Sequence, residues 1–314
     1  MRKQAIVGIA IIICGVFIVL SNLQSINIFT KGKHGEQASQ TYDVSELDRV
    51  IVESGSTNVK VVPANGDQVK LKLYDSSDKT YDLAEYVTSE MGSKTLELEV
   101  SSPKKWFSLF NFRSVTFEIE VPKELLQDLT IESKSGNITA EDIVTTDSIT
   151  LEAKSGNIKL EKANTRSFTG ETNSGNVTVE KLTTQEAELE ATSGNVKLTD
   201  FTAQELQIES NSGNITVDGD TASIDAKTTS GNIKLELEQL TKNSKLKSNS
   251  GNVKLSLDNA DSLYVTHERN SGSSSISKSG FELHVQTNHK TEGSFGSGDV
   301  KLDVKTTSGN FQLN

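Results

Sequence analysis

From about residue 49 onward, apolar and polar residues of this 314-residue chain alternate with a period of two. Val50 and Val52 alternate with Ile51 and Glu53, a Ser54-Gly55 turn follows, and Val59, Val61, Val69, Leu71 and Leu73 continue the pattern. Leu96, Leu98 and Val100 repeat it, as do Val115, Phe117, Ile119 and Val121. Period two places successive side chains on opposite faces of an extended chain, so each run predicts a half-buried β-strand. Pro63, Pro103 and Pro122 fall at the ends of such runs, where a missing N–H is tolerated. Residues 81–91 read either as one short helix or as a strand with a loop.

From residue 129 a longer period is superimposed. Ser-Gly-Asn recurs with glycines at Gly136, Gly156, Gly175, Gly194, Gly213, Gly231 and Gly251, separated by 20, 19, 19, 19, 18 and 20 residues, and returns at Ser308-Gly309-Asn310. Apolar residues keep fixed offsets from the glycine. Seven and five positions before it stand Leu129 and Ile131, Ile149 and Leu151, Leu206 and Ile208. Two and four positions after it stand Ile158 and Leu160, Val177 and Val179, Val196 and Leu198, Ile215 and Val217, Val253 and Leu255. Each unit is therefore strand, tight turn, strand, and one unit alone cannot bury its apolar side. The expected fold is all-β: a β-solenoid, as a single-stranded, right-handed β-helix of ~19-residue coils. In the turns, glycine is expected to supply a positive φ and asparagine to tolerate the left-handed region. Asn137, Asn157, Asn176, Asn195, Asn214, Asn232 and Asn252 then stack about 4.8 Å apart as a structural ladder of amides. Ser271-Gly272-Ser273 and Ser297-Gly298-Asp299 read as degenerate copies.

The ends divide the chain further. After Met1-Arg2-Lys3, residues 5–20 are all apolar or glycine, long enough with the next few to cross a bilayer as a helix. The basic start favours a cytoplasmic amino terminus. Ser21-Asn22-Leu23-Gln24-Ser25 fits a signal-peptidase site poorly, and Ile13 before Cys14 fits a lipoprotein poorly, so the segment reads as an uncleaved single-pass anchor in the cell membrane. The divisions are a cytoplasmic start and transmembrane anchor (1–23), a polar tether (24–40), an N-terminal β region with the first coils (41–128), regular repeat coils (129–260), and irregular terminal coils with a cap (261–314). Cys14 is the sole cysteine, so a fold beyond the membrane has neither a disulfide nor a cysteine metal site.

Charge removes one class of function and raises a question. The chain carries 32 basic and 43 acidic residues, and everything after His34 has net −15, a surface that repels nucleic acid. Two outward offsets are acidic: Glu132, Glu152, Glu171, Glu190 and Glu209 four residues before the glycine, and Glu141, Glu161, Glu180, Asp218 and Glu236 five after it. Stacked coils would align like charges at strand spacing. Either Lys159, Lys197, Lys234 and Lys254 on the same outward face offset them, or divalent cations bridge them.

Residues 104–113 do not alternate. Trp106, Phe107, Phe110 and Phe112, bordered by Lys104, Lys105 and Arg113, read either as an apolar plug over the first coil or as an exposed interaction patch. His34, His267, His284 and His289 show no metal-ligand spacing. No nucleophile elbow, phosphate loop or zinc-peptidase motif is present, and carboxylates spread evenly along a repeat are unlike an active site, which breaks the repeat at one place. The expectation is a non-enzyme with no catalytic residues, metal or cofactor.

A single amino-terminal span followed by repeats of strand, Ser-Gly-Asn-Ile/Val, strand resembles the putative-adhesin family of bacterial envelope proteins over roughly residues 45–314. With Met1-Arg2-Lys3 it is similar to LiaG-like membrane-anchored proteins. The resemblance implies a membrane-anchored, extracytoplasmic interaction or scaffold protein of the cell envelope, adhesin-like or part of an envelope-stress response. The partner would be another membrane protein or a cell-wall polymer. The family carries no established catalytic residues. Rival readings are an accessory to a membrane signalling protein and a cell-wall polysaccharide-active enzyme.

Overall fold

The computed structural model describes residues 36–43, 47–66, 68–74, 83–101, 115–123 and 126–314. Among them the chain is all-β, and the one helical element is the 3-10 turn Leu83–Glu85. That turn leads into the strand Val87–Met91, so residues 83–91 hold both of the expected alternatives in succession. The apolar run at residues 5–20 and the aromatic residues Trp106, Phe107, Phe110 and Phe112 lie outside the described residues. No described helix is long and apolar enough to cross a membrane.

Strands stack in parallel on two faces, as the 19-residue rhythm predicts. On one face Arg49–Ser54, Asp128–Ser133, Ser148–Ala153, Ser167–Ser174 and Glu186–Ser193 are neighbours in that order. On the other, Asn58–Ala64, Ile138–Val144, Ile158–Asn164 and Val177–Thr183 follow one another. Val196–Ser210 and Ile215–Thr228 are long enough to run from the second face round a corner into the first. Register sets like against like: Leu129, Ile149, Phe168, Ala187, Leu206 and Ile224 form one inward row. Ile138, Ile158, Val177, Val196, Ile215, Ile233, Val253 and Phe311 form the facing row. These side chains belong to one continuous buried core. Where Phe168 adds bulk, its coil neighbour Gly170 subtracts it; a Cβ there would sit 3.1 Å from the Phe168 ring.

The glycine corners correct the expected reason for the triplet. None of the seven regular glycines has a positive φ. The left-handed residues lie six positions later, at Asp142, Lys162, Lys181 and Asp200, with φ of 52–56°. Glycine is required because the corners stack in near contact. A Cβ on Gly156 would lie 2.1 Å from the carbonyl oxygen of Gly136, and one on Gly194 would lie 1.7 Å from that of Gly175. No side chain fits there, whatever its backbone angles.

The asparagines form the ladder. Each Oδ1 accepts the backbone N–H of the next asparagine at 2.9–3.0 Å, from Asn58 through Asn137, Asn157, Asn176, Asn195, Asn214, Asn232 and Asn252 to Asn310. Side-chain Nδ2 groups donate to the same oxygens along most of the column, at 3.1–3.4 Å. Asn58 has no glycine before it; Thr57 holds that place, and its carbonyl oxygen is the atom that excludes a Cβ from Gly136. Beneath the turn runs a buried hydroxyl column that alternation does not reveal. Ser133, Thr172, Ser210, Thr228 and Ser248 donate to the carbonyls of Gly136, Gly156, Gly194, Gly213 and Gly231 at 2.9–3.2 Å. Each such bond satisfies a buried carbonyl that would otherwise lack a partner.

Both ends depart from sequence order. The strands Arg49–Ser54 and Asn58–Ala64, first of the coils in sequence, lie between Thr95–Val100/Thr116–Pro122 and Asp128–Ser133/Ile138–Val144. At the far end, Val300–Ser308 and Phe311–Leu313 slip between Ser244–Ser250/Val253–Leu257 and Leu263–Ser271/Ser274–Ile276. Ser271-Gly272-Ser273 is therefore the terminal step of the ladder, with the Ser273 N–H donating to Asn310 Oδ1 at 2.9 Å. Ser297-Gly298-Asp299 lies outside it, in a turn where Gly298 has φ 68°. Antiparallel strands close the stack: Gln68–Tyr74 and Val87–Met91 at one end, Lys290–Ser294 and Glu282–Gln286 at the other. Residues 36–40, assigned to the tether by composition, begin the strand Glu36–Asp43, which pairs with Gln68–Tyr74. Closure of this kind covers edges that would otherwise template pairing with another chain.

The corner geometry makes two contrasts measurable by chemical denaturation. Gly194→Ala is expected to cost about 3 kcal/mol or more, whereas Gly55→Ala, with open space around its Cα, should stay within about 0.5 kcal/mol of the parent. Asn195→Ala interrupts the ladder on both sides and should cost about 1–2 kcal/mol; an unchanged midpoint would remove the ladder's energetic role.

Candidate functional site

The first face carries a row of carboxylates longer than the repeat alone predicts. Parallel register aligns Glu99, Glu53, Glu132, Glu152, Glu171, Glu190 and Glu209 on consecutive strands. Glu53 and Glu99 join the row because the amino-terminal coils use the same register without the triplet. Strand spacing is about 4.8 Å, so each neighbouring pair repels by about 1 kcal/mol even in a water-like dielectric. Beyond Glu209 the row changes sign: Lys227, Lys247 and Lys305 follow in register, then Glu268.

The two acidic rows are balanced differently. On the second face, lysines lie beside the carboxylates of their own strand: Lys159 bonds Glu161 at 2.7 Å and Lys234 bonds Glu236 at 2.8 Å. Those bonds hold the Glu161 and Glu236 carboxyls below their ordinary range, chiefly through the hydrogen bond itself. Asp142, at a left-handed corner, is lowered likewise by Lys162 and then Lys123, at 2.8 and 3.1 Å. Thr199 interrupts that row between Glu180 and Asp218. Of the lysines expected from the sequence as the counter-charge, Lys159 and Lys234 thus pair with this row and not with the first. Among the seven glutamates of the first row, Glu209 has an ion pair, with Lys227 at 2.5 Å. Glu152 is pushed up by burial, then by Glu132 and Glu171; Glu190 is pushed up by burial, then by Glu171 and Glu209.

At the amino-terminal end of this row Glu53, Glu99, Glu132, Glu152 and Glu171, together with Lys134 and Lys154, line a groove of about 360 Å³. Among the described residues no His, Cys, Asp and Glu side chains gather in threes as a metal-ligand set. The ladder asparagines lie at the exposed corner with their amide oxygens engaged from coil to coil.

At the other end of the same face the repeat breaks. In the outermost coil, His267 and Arg269 take inward places that elsewhere hold aliphatic residues and hydroxyls: Val304 and Thr306 are their register partners. His267 is fully buried and packs against Phe311, ring centroids 5.2 Å apart. Thr306 donates to the Gly309 carbonyl at 3.1 Å, so its oxygen accepts the His267 Nε2–H at 3.0 Å, leaving Nδ1 as a buried acceptor without a partner. Burial first, then the Arg269 charge, lowers His267 to about 4, so the ring is neutral at neutral pH. Arg269 donates to Thr291 Oγ1 at 3.0 Å and to the Thr287 carbonyl at 2.8 Å, while its buried Nε has no partner. Neither residue stands out in the sequence, because the terminal region is irregular. The available signal was polar residues at two inward offsets of one coil.

Residues 47–314 match the family described as Toastrack DUF4097. No curated protein matches the chain. Among solved structures, a putative adhesin from Parabacteroides distasonis is similar at 13% identity and TM-score 0.53, over 92% of this chain and 98% of that one. A putative lipid binding protein from the same species gives 14% identity and TM-score 0.50, over 90% and 98% of the two chains. A putative adhesin from Bacteroides fragilis gives 16% identity and TM-score 0.47, over 88% and 96%. At such identities the likeness shows the fold alone.

A raised carboxyl holds its proton more tightly in the folded chain than in the unfolded one. Stability is then lost as pH rises from the unfolded value through the folded one, and the penalty is complete at neutral pH. Glu152→Gln is therefore expected to melt above the parent at pH 7, with the advantage gone at pH about 4. An advantage that persists in acid would mean the glutamate row is not repulsive.

Proposed function

The chain belongs to the Toastrack DUF4097 family, and from that premise we propose that it is a non-catalytic interaction protein of the bacterial cell envelope, anchored in the membrane by residues 5–20 with its β-stack outside. The observation that carries this reading is the in-register glutamate row along the groove. Backbone pairing fixes these charges at strand spacing, and the lysines that neutralise the other acidic row do not reach them. A protein that holds such a row at a cost in stability presents it to a partner with positive charge. Repeated weak contacts along a rigid face give avidity, which suits a polymer of the cell wall or an extended face of another membrane protein. The similar solved structures described as adhesins agree with an interaction role, and a part in an envelope-stress response rests on the resemblance to LiaG-like proteins. The sequence supports a second partner surface at Trp106, Phe107, Phe110 and Phe112, where residues 104–113 combine aromatic and basic side chains.

Two measurements test the proposal. With Cys14→Ser and Ser275→Cys in the full chain, a membrane-impermeant thiol reagent should label intact cells; labelling only after lysis would place the β-stack inside. Crosslinking in living cells should give a partner adduct that is lost when Glu132, Glu152 and Glu171 are all changed to Gln. The adduct should persist when Lys159 and Lys234 on the second face are changed to Gln. Equal adduct in all three chains would overturn the role of the groove.

A further inference from the structure

We infer that residues 263–294 form a latch at the far end of the stack, held shut by the neutral ring of His267 and released by mild acid. The topology makes the segment separable. Val300–Ser308 and Phe311–Leu313 lie between it and the regular coils, so the chain leaves the stack after Leu257 and returns to it at Val300. Among the described residues, Leu263–Ser271 pairs with Val300–Ser308 and Lys290–Ser294, Ser274–Ile276 with Phe311–Leu313, and Glu282–Gln286 with Lys290–Ser294. Lys278 adds a side-chain tie, its Nζ donating to the Leu257 and Asp258 carbonyls at 2.7 and 2.9 Å. The segment can therefore lift away with the strands up to Leu257 still paired.

The latch itself is a titratable ring in an aliphatic row. Val304, Leu246, Ala226, Ile208 and Leu189 hold the position of His267 on successive strands. The ring fits there while neutral, with Nε2–H spent on Thr306 and its face packed in the core against Phe311. A second proton would sit on Nδ1, which is buried with no acceptor. The groups facing the ring are Arg269 from its own strand, Val304 and Thr306 from Val300–Ser308, Thr291 from Lys290–Ser294, and Phe311. Arg269 is the charged one of these, and its sign is that of an imidazolium. The carboxylates of the neighbouring strands alternate outward, Glu268 onto Lys305 at 2.9 Å and Glu292 onto Lys290 at 2.6 Å. Among the described residues, no carboxylate on the inward side compensates a protonated ring.

Opening moves the ring from the core into water. Closed, it titrates at about 4; released, it titrates at about 6.5. Between those values the open form takes up a proton that the closed form refuses, so opening gains with every step toward acid. Glu268, lowered by its bond to Lys305, loses its contribution only below the ordinary carboxylate range, so a comparison at pH 5 reads histidine and not carboxylate. In the regular coils the sign is reversed, because Glu152 and Glu190 bind protons more readily folded than unfolded. Mild acid thus loosens the outermost coil and not the stack beneath it. Release bares the outer edges of Val300–Ser308 and Phe311–Leu313, backbone on which a strand of another chain can align.

The experiment is hydrogen exchange of the full chain in neutral detergent, read by mass spectrometry at pH 7.5 and pH 5 and corrected for the intrinsic pH dependence of exchange. Protection of Leu263–Ser271 should fall by more than about tenfold between the two, as the proton linkage requires, while Ile158–Asn164 and Val177–Thr183 keep theirs. His267→Leu, which restores the aliphatic row, should give equal protection at both pH values. Changing His284 and His289, the exposed histidines of the segment, to Gln should leave the fall in place. The parent and this double variant both retain the buried ring, so their result stands whether or not the leucine chain folds. The latch would be overturned by constant protection in the parent, by an equal fall along the whole stack, by a fall that survives His267→Leu, or by one that disappears with His284 and His289.

Discussion

At each corner of the stack the carbonyl oxygen of one coil stands about where the Cβ of the next would be, 1.7–2.2 Å from the ideal position. The other regularities follow from that contact. It makes glycine obligatory and brings successive turns close enough for the asparagine amides to bond from coil to coil. It also buries the turn carbonyls, so a hydroxyl must be supplied from beneath. Tight corners on one side hold the strands at zero offset, and zero offset sets identical positions of successive units directly beside one another. An apolar position becomes a core row and an acidic position becomes a charged row. The glutamate row is thus a product of the same register that builds the core.

What distinguishes the faces is how that charge is managed. On the second face a lysine two residues from its glutamate neutralises it within one strand, and a threonine interrupts the row. On the first, burial and neighbouring carboxylates push Glu152 and Glu190 the other way. Lys134 and Lys154 also stand two residues from Glu132 and Glu152, yet among the described residues the within-strand ion pairs form on the second face. The outward row of the first face changes from acidic to basic along its length, and the change comes toward the coils where the regular repeat ends.

Much of this was legible in the sequence. Fixed offsets from Gly136 to Gly251 gave strand, turn and inward rows, because a period of nineteen with alternation inside it admits few other folds. The reason for the glycines was not legible, since a positive φ and a missing Cβ leave the same residue behind; only the stacked carbonyl separates them. Asn58 was hidden because Thr57 replaces the glycine before it. The order of coils at the ends was hidden for a different reason. Parallel pairing has no local turn to announce its partner, so neither the place of Arg49–Ser54 nor that of Phe311–Leu313 could be read from spacing. His267 and Arg269 broke the inward pattern in one coil, in a region whose irregular rhythm masked the offsets that would have exposed them.

The order of stacking at the far end also bears on biosynthesis. The coil containing Leu263–Ser271 emerges from the ribosome before Val300–Leu313, yet the later segment lies beneath it, against the regular stack. The earlier coil therefore has no finished surface on which to settle during translation. Growth along the stack can proceed vectorially from residue 128 to residue 257, after which the strands Leu263–Ser271 and Ser274–Ile276 must wait until their platform arrives. The coil that carries His267 and Arg269 is therefore the last part to assemble.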